Sequence, residues 1–502
     1  MENNNLFRNV IKSNSVSFRN KKAIVFRNES ITFEKLYLNE EAISASLKNS
    51  GINPGEIVLL YVSHPVNYIC CFFAILSCGA VALPTGTQLK EYELKNLFQQ
   101  YSIKNVIVDE PEKALEISST IDGSLRVLMC DELLAGGTSG NRDGDGALID
   151  SESGGGHTGS SGVIHLTSGS YGKPKGVLRN MENLLSEAQD VYTTLSLREE
   201  DVILCSSPLF HSFACGFMRA AVYSGTTLVV TKGFEPALFL EDCDKYNVSI
   251  ALGVPYLFQG LVELDKSREY SLKNLKMVIT GGVSLPVRIS EAFFKKYGVP
   301  LVQEYGLSEG GIVSINDCSK GLERPGSVGR AIDNVSVTVL DEKFRELENN
   351  SIGEIAIKRN FPPQLYYSLP ELSREVFLEN GLIMTGDLGK IDEEGYIYIT
   401  GRKKQIINVA GNKVDPTEIE NLLLLNPKIA ECVVMGEYDE QQNEIVKAVI
   451  VSRNNIEISV YEILSFCRQN LSSFKVPKKI CFIDELPRSA SGKILKSKLM
   501  NV

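Results

Sequence analysis

Between residues 167 and 176 the chain reads Thr-Ser-Gly-Ser-Tyr-Gly-Lys-Pro-Lys-Gly, directly after the strand-like run Val163-Ile164-His165-Leu166. The hydroxyls of Thr167, Ser168 and Ser170 and the bare backbone of Gly169 and Gly172 can wrap a polyphosphate, while Lys173 and Lys175 neutralise its charge. The segment is not a Walker loop, because Pro174 stands where Gly-Lys must be followed by Ser or Thr. Nor is it a nucleophile elbow, since G-x-S-x-G does not occur there. Composition alone favours a plain Gly/Ser turn, so any chemistry at this loop depends on what else the chain brings to it.

Such a loop needs a scaffold. Strand-like runs at Val58–Val62, Asn105–Asp109, Val202–Ser206, Thr227–Thr231 and Met277–Thr280 alternate with amphipathic stretches at Tyr92–Tyr101, Glu182–Leu195, Pro236–Tyr246 and Val287–Tyr297. That alternation predicts an α/β architecture with mixed, largely parallel sheets flanked by helices. The most apolar run, Tyr68 to Pro84, is interrupted by Ser77, Cys78 and Gly79 and is short for a membrane span. It reads as a buried helix running into a strand. Gly136 to Gly162 is rich in Gly, Ser and Asp and reads as a surface connector.

Beyond Gly401-Arg402-Lys403-Lys404 the pattern shortens: a helix over Glu418–Leu425, strands over Ile429–Gly436 and Ile445–Val451, and a helix over Tyr461–Leu471. At 502 residues the chain exceeds one ordinary core. We expect a large body, residues 1–402, and a small mobile α+β lobe, residues 403–502.

Composition narrows the function classes. With 62 acidic against 52 basic residues, a net charge of −10, the chain is a poor partner for nucleic acid or an anionic membrane. Its 11 cysteines form no C-x-x-C pair and read as reduced thiols of a cytoplasmic protein. The four histidines lack ligand spacing, which argues against zinc. The polar start Met1-Glu2-Asn3-Asn4-Asn5 has no apolar core behind a basic start, so no secretory signal is expected.

Seven motifs follow one another along the chain: T-S-G-S-Y-G-K-P-K-G at 167–176, P-L-F-H-S-F at 208–213, T-G-G-V-S-L-P at 280–286, Y-G-L-S-E at 305–309, T-G-D at 385–387, G-R-K-K at 401–404 and P-R-S-A-S-G-K at 487–493. In this order the chain resembles the adenylate-forming superfamily, which holds acyl-CoA synthetases, peptide-synthetase adenylation domains and firefly-type luciferases. The resemblance implies that a carboxylate attacks the α-phosphate of ATP, pyrophosphate leaves, and the acyl-adenylate passes to a thiol. Such a site must bring cations and oriented donors to charge that builds on phosphorus.

By that resemblance Lys493 meets the carboxylate and the α-phosphate as a point charge on a flexible stem. Glu309 holds Mg²⁺, and Ser308 keeps the hydroxyl of the usual threonine. Tyr305 stacks on adenine, with Gly281 and Gly282 letting backbone approach the ring. Asp387 accepts from the ribose hydroxyls, Arg402 lies on the ribose-phosphate side, and Lys404 is the hinge on which the lobe turns between half-reactions. Tyr171 departs from the family's threonine; either the loop is reshaped or that hydroxyl is dispensable.

For the acid, the resemblance points to a pocket near 208–216. Ser212 stands where peptide-synthetase domains carry an aspartate that clamps an α-amino group, so α-amino acids are disfavoured. His211 and Phe213 resemble the gate of fatty-acyl and 4-coumarate CoA ligases. Gly216 would leave the pocket floor open, and Glu304 would line the pocket and favour a polar or cationic tail. In the lobe, Pro416 before Thr417-Glu418-Ile419-Glu420 resembles acyl- and aryl-CoA ligases, with Gly411 passing a pantetheine arm. The expectation is therefore a CoA ligase using ATP, Mg²⁺ and CoA. The alternatives are loading of a carrier-protein phosphopantetheine, a non-catalytic nucleotide-binding relative, and a light-emitting oxidation.

Overall fold

Strands buried on both faces read as continuous apolar runs, and two sheets of the protein are built that way. The computed structural model describes all residues except 1–5, 122–124, 137–160, 168–174, 232, 266–269, 317–322, 362–364, 410–411, 440, 442, 454–455, 490–491 and 501. Among the described residues the first sheet has nine strands. It runs Arg330–Ala331, Gly311–Ile315, Leu301–Leu307, Met277–Thr280, Ile250–Gly253, Val202–Cys205, Thr227–Val230, Lys22–Phe26, Glu29–Thr32. From Leu301–Leu307 to Lys22–Phe26 all pairings are parallel. The second sheet runs Leu365–Tyr366, Lys175–Asn180, Gly162–Thr167, Val81–Pro84, Ile57–Tyr61, Asn105–Val108, Arg126–Met129, antiparallel only in its first two pairings.

The helix Pro65–Ser77 and the strand Val81–Pro84 occupy the Tyr68–Pro84 run, and nearly every side chain of the helix is buried. It packs with Ile24, Val58 and Ile355 into one core that reaches all three sheets of the body. Each such aliphatic or aromatic side chain contributes roughly 1.5–3 kcal/mol on burial. The helix Met181–Thr194 begins sharply because Asn180 and Asn183 cap it reciprocally, the Asn183 N–H donating to Asn180 Oδ1 at 2.9 Å. Its inward stripe of Leu184, Glu187, Ala188 and Val191 follows the helical period.

The third sheet is antiparallel: Val335–Leu340, Gly353–Arg359, Leu382–Ile391, Ile397–Arg402. The alternation read from sequence did not single it out, since its runs vary in length and their pairing is invisible in any one of them. The other expected elements lie within two residues of the observed ones. The small C-terminal domain carries the sheet Ile429–Tyr438, Glu444–Ser452, Lys479–Phe482 and the helices Pro416–Leu423 and Val460–Asn470. It has its own core of Ile407, Ile419, Leu423, Val434, Ala448 and Ile463. The connector expected at Gly136–Gly162 falls largely outside the described residues. No described helix is long and apolar enough to cross a membrane.

Candidate active site

Parallel strands leave a crevice at their carboxyl ends, and ligands favour it. In the nine-stranded sheet Thr280 pairs with Gln303, so Gly281–Gly282 and Glu304–Tyr305 emerge side by side. Gln303 Oε1 accepts from the Leu285 N–H at 2.9 Å and holds the glycine turn against the strand. Gly282 has φ +80°, which suits glycine. At Gly281 a Cβ would stand 2.2 Å from Glu304 Oε2 and 2.8 Å from the Phe213 ring. The bare backbone is what lets Glu304 and Phe213 meet there.

The antiparallel sheet supplies the opposite wall. Asp387 and Arg402 are register partners on neighbouring strands. Arg402 Nε forms an ion pair with Asp387 Oδ1 at 2.6 Å, and the Tyr305 hydroxyl donates to Oδ2 at 2.7 Å. Thr385 Oγ1 accepts from the Asp387 N–H at 3.1 Å and donates to the Ile355 carbonyl, bracing the turn at Gly386. Asp387 is only 2% exposed. Burial, reinforced by that carboxylate, pushes the Tyr305 hydroxyl well above its ordinary pKa, so it stays a donor. The ring expected to face a base is thus mostly buried and tied down through its hydroxyl.

Thr167 and Lys175 face each other at the end of the hairpin Gly162–Thr167/Lys175–Asn180. Ser168, Gly169, Ser170 and Gly172, with Tyr171, lie outside the described residues at its tip. Lys175 Nζ sits 5.8 Å over the Tyr366 ring, and the Tyr366 hydroxyl donates to Glu309 Oε1. Tyr366 therefore links the phosphate-type loop to Glu309. It sits in no motif, and its only sequence signal is the tyrosine pair 366–367. Among the described residues no three His, Cys, Asp or Glu side chains gather into a metal cluster.

Lys493 reaches this wall from the small domain. Its turn is closed by the Ser489 N–H donating to the Lys493 carbonyl at 2.8 Å, with Gly492 at φ +77°. Arg488 anchors the turn: it pairs with Glu431 at 2.6 Å and stacks 4.6 Å over the Tyr256 ring of the body. A Cβ at Gly282 would lie 3.8 Å from Lys493 Cε. The side chain keeps solvent access in the cleft, yet protein crowds it. Burial and Arg402 lower its pKa, while Glu309, Glu304 and Asp387 act in the opposite sense. His211 also faces Lys493; burial, then that charge, push it down to about 3, so its imidazole is neutral.

Ser212 and Ser308 face each other at 3.5 Å between hydroxyl oxygens. Gly216 differs from expectation. A Cβ there would meet Ile312 Cδ1 at 3.0 Å and Glu187 Oε1 at 3.4 Å, so it closes against packed side chains and opens no pocket floor. Lys404 lies exposed in the 3₁₀ turn Lys403–Gln405, and Gly411 falls outside the described residues.

Behind Gly216 lies a charge network that no motif announces. Glu187 pairs with Arg179 at 3.0 Å and with Arg219, and accepts the Ile312 N–H at 2.7 Å. Arg359 pairs with Asp190 at 3.3 Å and donates to the Ile312 carbonyl. This network clamps the strand that follows Glu309.

Residues 12–367 match the AMP-binding enzyme family, and residues 418–493 match the AMP-binding enzyme C-terminal domain. The long-chain-fatty-acid–CoA ligase FadD13 of Mycobacterium tuberculosis is 31% identical over 458 residues, covering 89% of this chain and 88% of its own. The oxalate–CoA ligase of Arabidopsis thaliana is 29% identical, with 92% of each chain covered. The ATP-bound structure of MatB from Rhodopseudomonas palustris superposes with a TM-score of 0.86 at 25% identity, covering 98% of both chains. With the family match spanning most of its length, and the C-terminal domain following in order, the chain belongs to the AMP-binding enzymes.

Proposed function

We infer that the chain is an AMP-forming acid–CoA ligase. It condenses a carboxylic acid with ATP to an acyl-adenylate, releases pyrophosphate, and transfers the acyl group to the thiol of CoA. The observation that carries this reading is Lys493, delivered by the small domain into a wall made of Glu309, Glu304, Asp387 and Arg402. In the first half-reaction a carboxylate oxygen bonds to the α-phosphorus while the bond to pyrophosphate breaks. The Lys493 ammonium is placed for the charge that develops there. Thr167 and Lys175 would take the β- and γ-phosphates with the loop they flank. Gly281 and Gly282 would admit the adenine beside Tyr305, with the ribose hydroxyls on Asp387 and the Arg402 side chain next to it.

A magnesium ion, when bound, would offset phosphate charge. Glu309, which accepts from the Tyr366 hydroxyl, would hold it, since Mg²⁺ commonly takes one or two protein carboxylates plus phosphates and water. Ser308 and His211 would flank the reacting carboxylate, and Ser212 and Phe213 would line the acyl pocket. Asp387→Ala should weaken ATP binding about ten- to a hundredfold, the worth of hydrogen bonds to a charged acceptor. Calorimetric titration with ATP checks this, and unchanged affinity would take Asp387 out of the nucleotide site.

For the second half-reaction Lys493 must leave. We place the junction between residues 402 and 403, with Lys404 as the pivot and Gly411 on the thiol's path. The small domain has its own core, so it can turn as a unit. The ion pairs that join the lobe to the body, Lys403–Glu354 at 2.7 Å, Lys413–Glu342 at 2.6 Å and Arg453–Glu263 at 3.5 Å, each have at least one solvent-exposed partner, and such pairs hold a domain only weakly. Buried free thiols fit a cytoplasmic setting. ATP–pyrophosphate exchange over a panel of fatty, aryl and amino acids tests adenylation. Repeating the reaction with free CoA, then with a phosphopantetheinylated carrier protein, tests the acceptor; product with the carrier alone would sink the CoA reading.

A further inference from the structure

Glu304 is a buried carboxylate with nothing to bind. It is 5% exposed, and no described group forms an ion pair or hydrogen bond with it. The other buried carboxylates around the cleft are all engaged: Glu187 by Arg179, Arg219 and the Ile312 N–H, Asp190 by Arg359 and Asn334, Asp387 by Tyr305 and Arg402. Its two oxygens occupy room that only glycines leave. A Cβ would fall 2.2 Å from Oε2 at Gly281 and 2.3 Å from Oε1 at Gly306. Phe213 stands over the same Gly281, and a Cβ at the adjoining Gly282 would lie 3.8 Å from Lys493 Cε, so only a short reach separates Glu304 from the lysine assigned to the acid's carboxylate. A carboxyl so nearly enclosed loses most of its hydration without a protein partner in return, and the Lys493 charge faces it.

We propose that Glu304 recognises the acyl chain, and that the acid activated here is short and carries an amino group away from its α carbon, held by the Glu304 carboxylate. This rests on the ligase reading above. An ammonium offers three donors and a charge to a carboxylate with both oxygens open, where a hydroxyl offers one donor. The α position is unsuited to an ammonium. There the substrate lies beside the Lys493 charge and the start of the helix Ser212–Ser224, both of which disfavour a cation. The Ser212 and Ser308 hydroxyls at that end bring no compensating carboxylate.

The charges facing Glu304 are Glu187 from the helix Met181–Thr194, itself neutralised by Arg179 and Arg219, and Lys493 from the small domain. Burial and Glu187 hold its carboxyl up near pKa 8, so at pH 7 it is mostly protonated in the free enzyme. Pairing with an ammonium requires the carboxylate, so its proton goes to solvent as the ligand docks. Affinity for the amino acid should then rise up to about tenfold per pH unit toward pH 8 and level off above it.

The test is ATP–pyrophosphate exchange with acids of about three to six carbons, in unsubstituted, hydroxy, α-amino and more remotely amino-substituted forms. The remotely amino-substituted acids should give the highest kcat/KM. Glu304→Gln should cut their advantage over the unsubstituted isostere about a hundredfold, while ATP binding shows the variant is folded. Preference for the unsubstituted acids, or an amino preference that survives in the glutamine variant, would overturn the proposal while leaving the ligase intact. Exchange with no acid at all would instead sink the ligase reading beneath it. Should the variant not fold, the wild type decides alone: a KM for the amino acid that does not fall between pH 6 and pH 8 overturns the assignment.

Discussion

Lys493→Ala should lower ATP–pyrophosphate exchange by about two to three orders of magnitude, the usual loss when one preorganised charge contact to a transition state is removed. Burial and Arg402 work against the lysine's charge, and Glu309, Glu304 and Asp387 support it. ATP and acid each add negative charge at that point, so the ammonium gains most as the carboxylate oxygen closes on phosphorus. The fold should tolerate the change, because the turn is held by Arg488, Ser489 and Gly492 rather than by the lysine side chain. A second readout separates adenylation from thiol transfer. Supplied with preformed acyl-adenylate and CoA, the variant should form thioester at a rate close to wild type, because the lysine is expected to leave before that step. Unimpaired exchange would remove Lys493 from the mechanism; equal loss in both assays would mean that it serves both half-reactions.

The motif residues were legible because each is a local pattern with one demanding job. Asp387 follows Thr385 and Gly386, and those same residues brace the turn and let it bend. Tyr305 was legible as a site residue but not as the hydroxyl that holds Asp387, since that bond joins residues 82 positions apart. Tyr366 went unread for the same reason: its value lies in touching Lys175 and Glu309, which no local spacing reveals. Gly216 was misplaced because a helical face says which residues share a side, not what the next strand packs against them. Ile312 and Glu187 fill that side. Glu304 was visible as an acid next to a motif tyrosine. Only the fold shows that its two oxygens have no partner.

The same distance effect hides the chain's most consequential structural charge. Glu187→Ala should destabilise the body by about 3–5 kcal/mol, the cost of leaving buried cations without their anion. Burial works against the Glu187 carboxylate, but Arg179, Arg219 and Arg359 outweigh it and hold it down at about 2. The arginines share unequally. Burial, with repulsion from Arg219 and Arg359, takes Arg179 down to about 10, whereas burial of Arg219 is more than offset by Cys215 and Glu187. All three remain charged at pH 7, so deleting the carboxylate strands them. The sign with pH follows from the depressed value. Glu187 contributes fully above its unfolded pKa of about 4.5, and loses that contribution as pH falls toward 2. Urea unfolding of the wild type and the variant should therefore show the full gap at pH 7 and a gap about 2 kcal/mol smaller at pH 3. A replacement of the pair, Glu187→Leu with Arg219→Met, should recover part of the loss, since apolar groups of similar volume need no counter-charge. A gap below about 1 kcal/mol at pH 7, or one that widens on acidification, would show that the arginines are satisfied without Glu187.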